Sequence, residues 1–424
     1  MTSYDARVQA LRREPIEPTE KGFGGPLHTG PTSAEELVAA APLATGGWLS
    51  SPRVVVRESA LGHNIATMAQ YCADRGVLLY PHGKTTMAPQ VVAAQLAAGA
   101  SGVTVATVSQ ARVFHHFGVT QVLVANEVTD RAGALWLAQV LDRDPANTVM
   151  CYVDSVHGVE LLDAVVRDTG TSHRLAVLLE LGHEGGRTGV RTTAAARSIA
   201  EAVVHSGGLR LVGTAGYEGS LVRPTPEQTA TAAREYCTRM AELTTTLLKE
   251  GYLEQPALVS AGGSAYFDAV VDVLADEPGW QLVLRSGCYV THDHGLYRSL
   301  SPFERGETGL SLRPALGVWA PVLSRPDRTT VVLGAGRRDV SSDAGLPVLR
   351  AADRAGTRVD VGDTEPERLF DQHLVVTVSP ENDLRPGDEV ELGISHPCTT
   401  FDKWRWIPVV DDDDRVVDVL RTFF

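Results

Sequence analysis

Short apolar runs alternate with amphipathic segments through the middle of the chain. The runs are Val- or Leu-rich and bounded by turn residues, which predicts buried β-strands; the segments between them have helical spacing of apolar residues. The predicted strands are 77–80, 102–107, 121–125, 148–153, 174–180, 209–215, 257–260 and 281–284. The clearest predicted helices are 90–98, 109–117, 133–141, 193–205 and 227–249.

Eight strands alternating with helices indicate an α/β fold with a parallel sheet and right-handed crossovers. Eight such units predict closure into a (β/α)8 barrel of the TIM type. An open, doubly wound sheet is the alternative. No GxGxxG segment follows the first strand, and this disfavours a dinucleotide-binding sheet.

The pattern changes after about residue 290 to β-rich segments broken by Gly, Pro and Asp, which predicts a separate C-terminal β domain. Its predicted strands are 315–323, 329–333, 373–378, 389–392 and 404–410. We therefore divide the chain into an arm (1–57), a barrel (58–290) and a β domain (291–424). The first fifty residues show no clear periodic element, although Val54–Val56 could add a strand to the β domain. The acidic run Asp411–Asp414 lies between two strand-like runs and is interpreted as a solvated hairpin turn rather than a metal cluster.

Composition favours small-molecule chemistry. The chain has 424 residues, 43% of them hydrophobic, and a formal net charge of −14, which disfavours nucleic acid or an anionic membrane as a partner. Its five cysteines include no CxxC pair, so neither a disulfide framework nor a zinc finger is indicated. There is no apolar span of membrane length and no basic-then-apolar leader. We therefore expect a cytoplasmic protein.

Catalytic residues in a parallel barrel belong at the carboxyl ends of its strands. Lys84 follows the first strand, where an inward-facing amine can form a Schiff base. Gly262-Gly263-Ser264 follows the seventh strand and precedes a predicted helix, an arrangement that can bind phosphate through backbone N–H groups or can be an ordinary tight turn. A barrel lysine combined with a phosphate cradle describes a pyridoxal 5'-phosphate (PLP) site.

Four segments carry a family resemblance: Pro81-His82-Gly83-Lys84-Thr85, the Gly-rich stretch 180–190, Leu284-Arg285-Ser286-Gly287-Cys288-Tyr289, and Ser395-His396-Pro397-Cys398-Thr399-Thr400-Phe401-Asp402. The sequence resembles the fold-type III PLP enzymes, which have alanine racemase-like barrels, and within them the D-serine dehydratase and D-threonine aldolase branch. The resemblance covers nearly all of the chain beyond the arm.

The resemblance implies roles for individual residues. Lys84 would bind PLP as a Schiff base and move the Cα proton, and Arg187 would hydrogen-bond near the cofactor ring. Arg285 would face the pyridine nitrogen, with a structural ion pair as an equal alternative. Tyr217 would either line the substrate side or pack in the core. His82 would either transfer a proton or be a packed histidine beside the lysine. The cofactor phosphate is assigned to Gly262, Gly263, Ser264 and, beside them, Tyr289.

His396 and Cys398 form a second constellation. An imidazole and a thiolate one residue apart suit Zn²⁺ better than Mn²⁺, although a buried cysteine beside a capping histidine would have the same spacing. The resemblance implies that this pair holds zinc near the cofactor, with the substrate β-hydroxyl as a further ligand.

These features together lead to a PLP- and zinc-dependent dehydratase that converts a β-hydroxy D-amino acid, such as D-serine or D-threonine, to a 2-oxo acid and ammonia. The first alternative is a D-threonine aldolase-type cleavage to glycine and an aldehyde, which the His-x-Cys pair disfavours because aldolases more often pair histidine with aspartate. An amino-acid racemase would need no metal, and a non-catalytic PLP-binding protein would lack the β domain. By analogy we expect a homodimer.

Overall fold

The N-terminal arm consists of short elements and one longer strand. The computed structural model describes residues 3–45, 47–143, 147–303 and 310–424. Helix α2 begins with a capping box, in which the Ser33 hydroxyl accepts the Glu36 N–H and the Glu36 carboxylate accepts the Ser33 N–H. Helices of one or two turns leave little periodicity, which explains why the arm shows no pattern. The elements are α1 (Ser3–Ala10), a 3-10 turn (Leu11–Arg13), β1 (Pro15–Ile16), β2 (Thr32–Ser33), α2 (Ala34–Ala40) and β3 (Arg53–Arg57).

A parallel sheet of eight strands forms the next layer. The sheet curls until its first and second strands meet, where the Thr104 N–H donates to the Pro81 carbonyl at 3.0 Å. The barrel prediction is therefore confirmed and the open-sheet alternative is wrong. The strands are β4 (Leu78–Leu79), β5 (Val103–Val105), β6 (Gln121–Glu127), β7 (Thr148–Val153), β8 (Leu175–Leu181), β9 (Leu209–Gly216), β10 (Ala257–Ala261) and β11 (Trp280–Leu284).

Helices cover the outside of the barrel. Four of them start at a Ser or Thr whose hydroxyl accepts a backbone N–H of the first turn: Thr107, Ser155, Thr192 and Thr225. Every residue of β8 is buried, as expected for a parallel strand covered on both faces. The helices are α3 (Glu58–Asp74), α4 (Pro89–Ala97), α5 (Val108–His116), α6 (Arg131–Arg143), α7 (Val156–Asp168), α8 (Thr193–His205), α9 (Pro226–Lys249) and α10 (Phe267–Leu274).

The C-terminal β domain is largely antiparallel. Strand β3 from the arm lies within it, between β12 and β19, which agrees with the prediction for Val54–Val56. The remaining elements are α11 (Leu296–Leu300), β12 (Leu316–Ser324), β13 (Thr330–Leu333), β14 (Val348–Arg354), β15 (Thr357–Val359), β16 (Thr364–Leu369), β17 (Leu374–Val378), β18 (Glu389–Gly393), α12 (Cys398–Phe401), β19 (Trp406–Val410) and β20 (Val416–Arg421).

Strands β14, β15 and β16 are absent from the sequence prediction. They are partly exposed and carry charged residues such as Arg350, Arg358 and Glu367, so they lack the apolar alternation of a buried strand. The acidic run 411–414 does form the turn of the β19–β20 hairpin, and Asp414 pairs with Arg57 and Arg358.

The barrel mouth and the β domain are in direct contact. Cys398 of the β domain has its Sγ 3.3 Å from Cys288 Sγ and 3.4 Å from Thr85 Oγ1, both at the mouth of the barrel. None of the helices in the described ranges is both long and apolar enough to cross a lipid bilayer.

Candidate active site

A cavity of about 530 Å³ lies at the carboxyl ends of the barrel strands, where the β domain covers the barrel. It is lined by nine of the ten residues assigned from the sequence: Lys84, Arg187, Tyr217, Gly262, Gly263, Ser264, Arg285, His396 and Cys398. Lys84 and His396, which are more than 300 positions apart in the chain, thus line the same chamber. The position agrees with the rule that parallel barrels place their chemistry at this end.

Lys84 is held in a tight turn immediately after β4. The segment Gly83–Thr85 forms a single 3-10 turn, and a side chain at Gly83 would collide with the Phe114 ring, 2.6 Å from the position of its Cβ. The glycine therefore lets the lysine segment lie close against α5. Burial, together with the positive charges of Lys84 and Arg285, holds the pKa of His82 well below its usual range. His82 is thus a neutral, packed side chain beside the lysine.

Two arginines add positive charge to the chamber. The Arg187 guanidinium lies over the Tyr217 ring at 4.9 Å, so Tyr217 lines the cavity instead of packing in the core. Arg285 is 6% exposed, donates to the Gly216 carbonyl and keeps a buried Nε without a hydrogen-bond partner. Its hydrogen bond goes to backbone, which does not support the ion-pair interpretation. Burial raises the pKa of Tyr217 to about 12, so the phenol is neutral.

The Gly-Gly-Ser turn, which was assigned to the cofactor phosphate, binds the side chain of Glu218 instead. Gly262 has a φ of +95°, and the N–H groups of Gly262 and Gly263 donate to the Glu218 carboxylate at 3.1 and 2.6 Å. Two of the three donors assigned to phosphate are therefore occupied. The Ser264 hydroxyl accepts the Gly287 N–H at 3.2 Å, which leaves Ser264 and the loop at Gly287 as the polar groups of this wall.

Tyr289 does not lie at the cavity. It is 1% exposed, and its hydroxyl accepts a hydrogen bond from Gln95 Nε2 at 2.9 Å, beneath α4. The prediction placed it beside the phosphate because it follows the Arg-Ser-Gly-Cys segment. The 3-10 turn Cys288–Val290 instead directs its ring into the core.

Three potential metal ligands lie on the side of the chamber next to the β domain. We call Cys288, His396 and Cys398 the sulfur cluster. Their potential ligand atoms lie within 4.8 Å of one another, and the two Sγ atoms are 3.3 Å apart. His396 Nδ1 is 2.7 Å from Asp343 Oδ2, and the Thr399 hydroxyl donates to Asp343 Oδ1 at 2.7 Å. This arrangement fixes the imidazole, as outer carboxylates do at metal sites.

The charges in the sulfur cluster are matched before any metal binds. Hydrogen bonds from Cys288, His396 and Thr85 hold the pKa of Cys398 well below its usual value, against the effect of burial. Burial disfavours a charged His396, yet the Cys398 thiolate and Asp343 together raise its pKa to about 9. The pair is thus an imidazolium beside a thiolate, with Thr85 Oγ1 3.4 Å from Cys398 Sγ.

The carboxylate cluster, Glu127, Asp154 and Glu180, lies at the ends of β6, β7 and β8, and its oxygens also approach within 4.8 Å of one another. Glu180 is 8% exposed and lines the main cavity. Asp154 accepts the Gly189 N–H at 3.0 Å. Burial and then the negative charge of Glu180 raise the pKa of Glu127 to about 8, so Glu127 is mostly protonated at neutral pH.

Several site residues were missed from the sequence: Cys288, Asp343, Thr85 and Tyr297. Cys288 and Thr85 lie inside segments that the family resemblance already identified, but only their closeness to Cys398 in space gives them a role. Asp343 lies in a loop with no periodic pattern. Tyr297 lines the cavity, with its ring 6.2 Å from the His396 ring.

The residues present fit both groups that the sequence indicates. Lys84, Arg187 and Arg285 line the cavity against one carboxylate, Glu180, so an anionic cofactor and an amino-acid carboxylate are favoured there in a chain of net charge −14. The unpaired Arg285 Nε is a free donor for a ring or phosphate acceptor. Sulfur and imidazole together are the donor set that zinc prefers.

Comparison with known proteins relates both parts of the chain to described families. Residues 56–276 match the family described as "Alanine racemase, N-terminal domain", and residues 315–410 match the "Putative serine dehydratase domain". D-threonine aldolase of an Arthrobacter species is 27% identical over 86% of this chain and 90% of its own length. D-threo-3-hydroxyaspartate dehydratase of Delftia is 30% identical over 61% of this chain and 77% of its own length.

Solved structures show the same architecture. D-threonine aldolase from Filomicrobium marinum superposes with a TM-score of 0.74 at 25% identity, covering 88% of this chain and 95% of that protein. The Delftia dehydratase superposes with a TM-score of 0.71 at 26% identity, covering 88% and 98%. Because the family model matches residues 56–276, more than half of its length, the chain belongs to the alanine racemase N-terminal domain family, the fold-type III PLP proteins.

Proposed function

We propose that this protein is a PLP- and zinc-dependent dehydratase that converts a β-hydroxy D-amino acid to a 2-oxo acid and ammonia. The relatives named above are lyases, both aldolases and a dehydratase, so lyase chemistry on this substrate class is the common ground. One observation carries the finer proposal: the residue after Lys84, Thr85, lies within hydrogen-bonding distance of the Cys398 thiolate. The predicted base and the metal-ligating pair therefore meet in one chamber.

The chain's own groups would divide the work. Lys84 would hold the cofactor and take the Cα proton of the substrate. Arg187, Arg285 and Ser264, with the loop at Gly287, would orient the cofactor. Arg187, which is exposed at the rim, would also attract the substrate carboxylate. His396 and Cys398 would hold the metal. When bound, PLP supplies an electron sink for the Cα–H bond and zinc supplies a Lewis acid for the β-hydroxyl.

The His-x-Cys pair supports dehydration. Solved variants of a D-threo-3-hydroxyaspartate dehydratase replace a histidine and a cysteine that lie two positions apart, the same spacing as His396 and Cys398, and the cysteine variant is described as a metal-free form. The lowered pKa of His82 and the raised pKa of Tyr217 keep both side chains neutral, which favours Lys84 over them as the base on this wall.

Retro-aldol cleavage is the second candidate, because three of the relatives are aldolases that cover 84–86% of this chain. Both reactions begin with the same bound substrate and differ in the bond that breaks. The identity of the product therefore separates them.

The test is a product assay on the purified protein. D-serine, D-threonine, D-threo-3-hydroxyaspartate and the L-forms are supplied in turn, and 2-oxo acid, ammonia, glycine and aldehyde are measured with and without chelator. We expect 2-oxo acid and ammonia from a D-substrate, lost on chelation and restored by Zn²⁺. Glycine with an aldehyde would establish the aldolase, and full activity after verified metal removal would contradict the metal role.

The cofactor assignment has its own test. Lys84→Ala should lose the visible absorption of lysine-bound cofactor and at least about 1,000-fold of the activity, because it removes both the attachment point and the base. Lys249→Ala, at the end of an outer helix, is the matched control and should retain both. Retention of the band in Lys84→Ala would refute the assignment.

A further inference from the structure

Cys288 comes from the barrel, yet its sulfur faces the metal-ligating pair of the β domain. It is 5% exposed, and its Sγ lies 3.3 Å from Cys398 Sγ although 110 residues separate them. The other three cysteines, Cys72, Cys151 and Cys237, are buried in helices or strands and belong to no ligand group among the described residues. Cys288 is therefore the one barrel cysteine placed for metal chemistry.

The local backbone brings Cys288 to this position. Gly287 has no room for a side chain, because a Cβ there would lie 2.7 Å from the Thr85 hydroxyl and 2.8 Å from the His82 carbonyl oxygen. The loop after β11 thus packs directly on the lysine segment. Thr85 Oγ1 then lies 3.8 Å from Cys288 Sγ and 3.4 Å from Cys398 Sγ, between the two sulfurs and Lys84.

The separation of the sulfurs suits a shared metal. Two Zn–S bonds of about 2.3 Å at a tetrahedral angle place their sulfurs about 3.8 Å apart, so a small outward shift of each thiol would admit the ion. The imidazole is already fixed by Asp343, and all three potential ligand atoms lie within 4.8 Å of one another. Three protein ligands with a fourth, open position are the pattern of a catalytic zinc site, and two cysteines with one histidine are a known set for it.

We propose that Cys288 is a third protein ligand of the metal, so that Cys288, His396 and Cys398 bind zinc and leave the fourth position open to the cavity. All three residues line that cavity, which places the open position where a substrate hydroxyl can reach it. The inference rests on the metal site of the proposed function but not on which substrate bond breaks. It also gives a role to the hydrogen-bonded pair of Cys288 and Cys398 sulfurs.

Cobalt spectroscopy tests the proposal without reference to activity. The holoenzyme is stripped of metal under reducing conditions and titrated with Co²⁺, whose sulfur-to-cobalt absorption grows with each thiolate bond. Cys288→Ala should lose about half of the band that the wild-type protein shows, and its Zn²⁺ affinity, measured by chelator competition, should fall at least about 100-fold. Cys237→Ala, another buried thiol, should match the wild type in both measurements.

The outcomes distinguish a failure of the third ligand, Cys288, from a failure of the whole metal site. Unchanged cobalt absorption and zinc affinity in Cys288→Ala, with normal binding by the wild type, would overturn the third ligand and leave the His396–Cys398 site intact. No Co²⁺ or Zn²⁺ binding by the wild type would overturn both. A Cys288–Cys398 disulfide in the reduced, metal-loaded protein, detected by peptide mass, would also overturn the third ligand.

Discussion

The sulfur cluster and the carboxylate cluster each bring three potential metal ligands within 4.8 Å of one another. All three residues of the sulfur cluster line the main cavity, whereas the carboxylate cluster reaches it through Glu180. They relieve their crowded charges in different ways. In the sulfur cluster an imidazolium balances a thiolate and an outer carboxylate holds the ring in place. In the carboxylate cluster Glu127 takes up a proton, and Asp154 is satisfied by a backbone N–H.

Two clusters with equally close ligand atoms can therefore differ in their suitability for a metal. The imidazole of the sulfur cluster is oriented by Asp343, and a soft metal needs only to displace protons from it. The carboxylate cluster is stabilised by protonation, which a hard cation would have to reverse. We therefore expect the two clusters to respond differently to mutation, to metal identity and to pH.

Removal of a sulfur-cluster ligand should give the largest effect. Cys398→Ala and His396→Ala should each lose the bound zinc and about 1,000-fold of the activity, because the Lewis acid is lost. Glu127→Gln should keep the zinc content of the wild type. Metal analysis after dialysis, with the product assay on the same samples, checks this; zinc retained by Cys398→Ala would remove the contrast between the clusters.

Metal identity should come next. Zn²⁺ should bind the stripped protein at least about 100-fold more tightly than Mn²⁺, because thiolate ligands favour the softer ion. Cys398→Asp should narrow that ratio, since a carboxylate suits Mn²⁺. Competition titrations with both ions measure it, and tight Mg²⁺ or Mn²⁺ binding that survives Cys398→Ala but disappears in Glu127→Gln would assign the metal to the other cluster.

The outer carboxylate should have a smaller effect. Asp343→Asn should weaken zinc binding about 10- to 100-fold, because the imidazole loses its orienting partner and its basicity falls. Asp402→Asn, an exposed carboxylate that pairs with Lys403, serves as the control. Chelator competition measures both, and equal affinities in the two variants would show that Asp343 does not position His396.

The smallest effect concerns pH and stability. The pKa of Glu127 is raised in the folded protein, so the folded state binds more protons than the unfolded state between about pH 4.5 and 8, and the free energy of unfolding falls as pH rises through that range. The free energy of unfolding of Glu127→Gln should not fall for this reason, because glutamine does not titrate. After allowance for solvent screening of a partly exposed carboxyl, the variant should gain on the order of 2 kcal/mol over the wild type between pH 5 and 9.

Denaturant unfolding at several pH values measures that difference. Glu254→Gln, at an exposed surface glutamate, is a suitable control for the loss of one charge. Parallel pH curves for the wild type and Glu127→Gln would show that the carboxylate cluster does not hold a shared proton.

The barrel could be predicted because its signal is local. Each apolar strand is followed by an amphipathic helix, and β8 with its all-buried Val and Leu residues shows why such runs are easy to find. Lys84 was identified from its strand end, whereas the roles of Arg187, Arg285 and the His396–Cys398 pair came from the family resemblance of their segments. Strands β14 to β16 were not predicted, because exposed, charged strands have no apolar alternation.

The missing site residues depend on distances that no local pattern contains. Cys288 gains a role only through Cys398, and Asp343 only through His396. Other assignments fail because neighbouring side chains already occupy the groups concerned. Tyr289 bonds Gln95 in the core, and the amides of Gly262 and Gly263, although at the cavity, donate to Glu218. Motifs placed the segments correctly, and tertiary packing decided where their atoms point.

Strand β3 has a consequence for the order in which the protein can be assembled. It precedes the barrel in the chain, yet it pairs with β12 and β19, so the sheet under the sulfur cluster joins residues 53–57 to residues 406–410. During synthesis from the N-terminus, the barrel can be complete while β3 still lacks both neighbours. The half of the chamber that carries His396 and Cys398 must then form last, after nearly the whole chain has left the ribosome. A protein shortened by its final twenty residues would lose β19, one of the two strands that pair with β3 in that half.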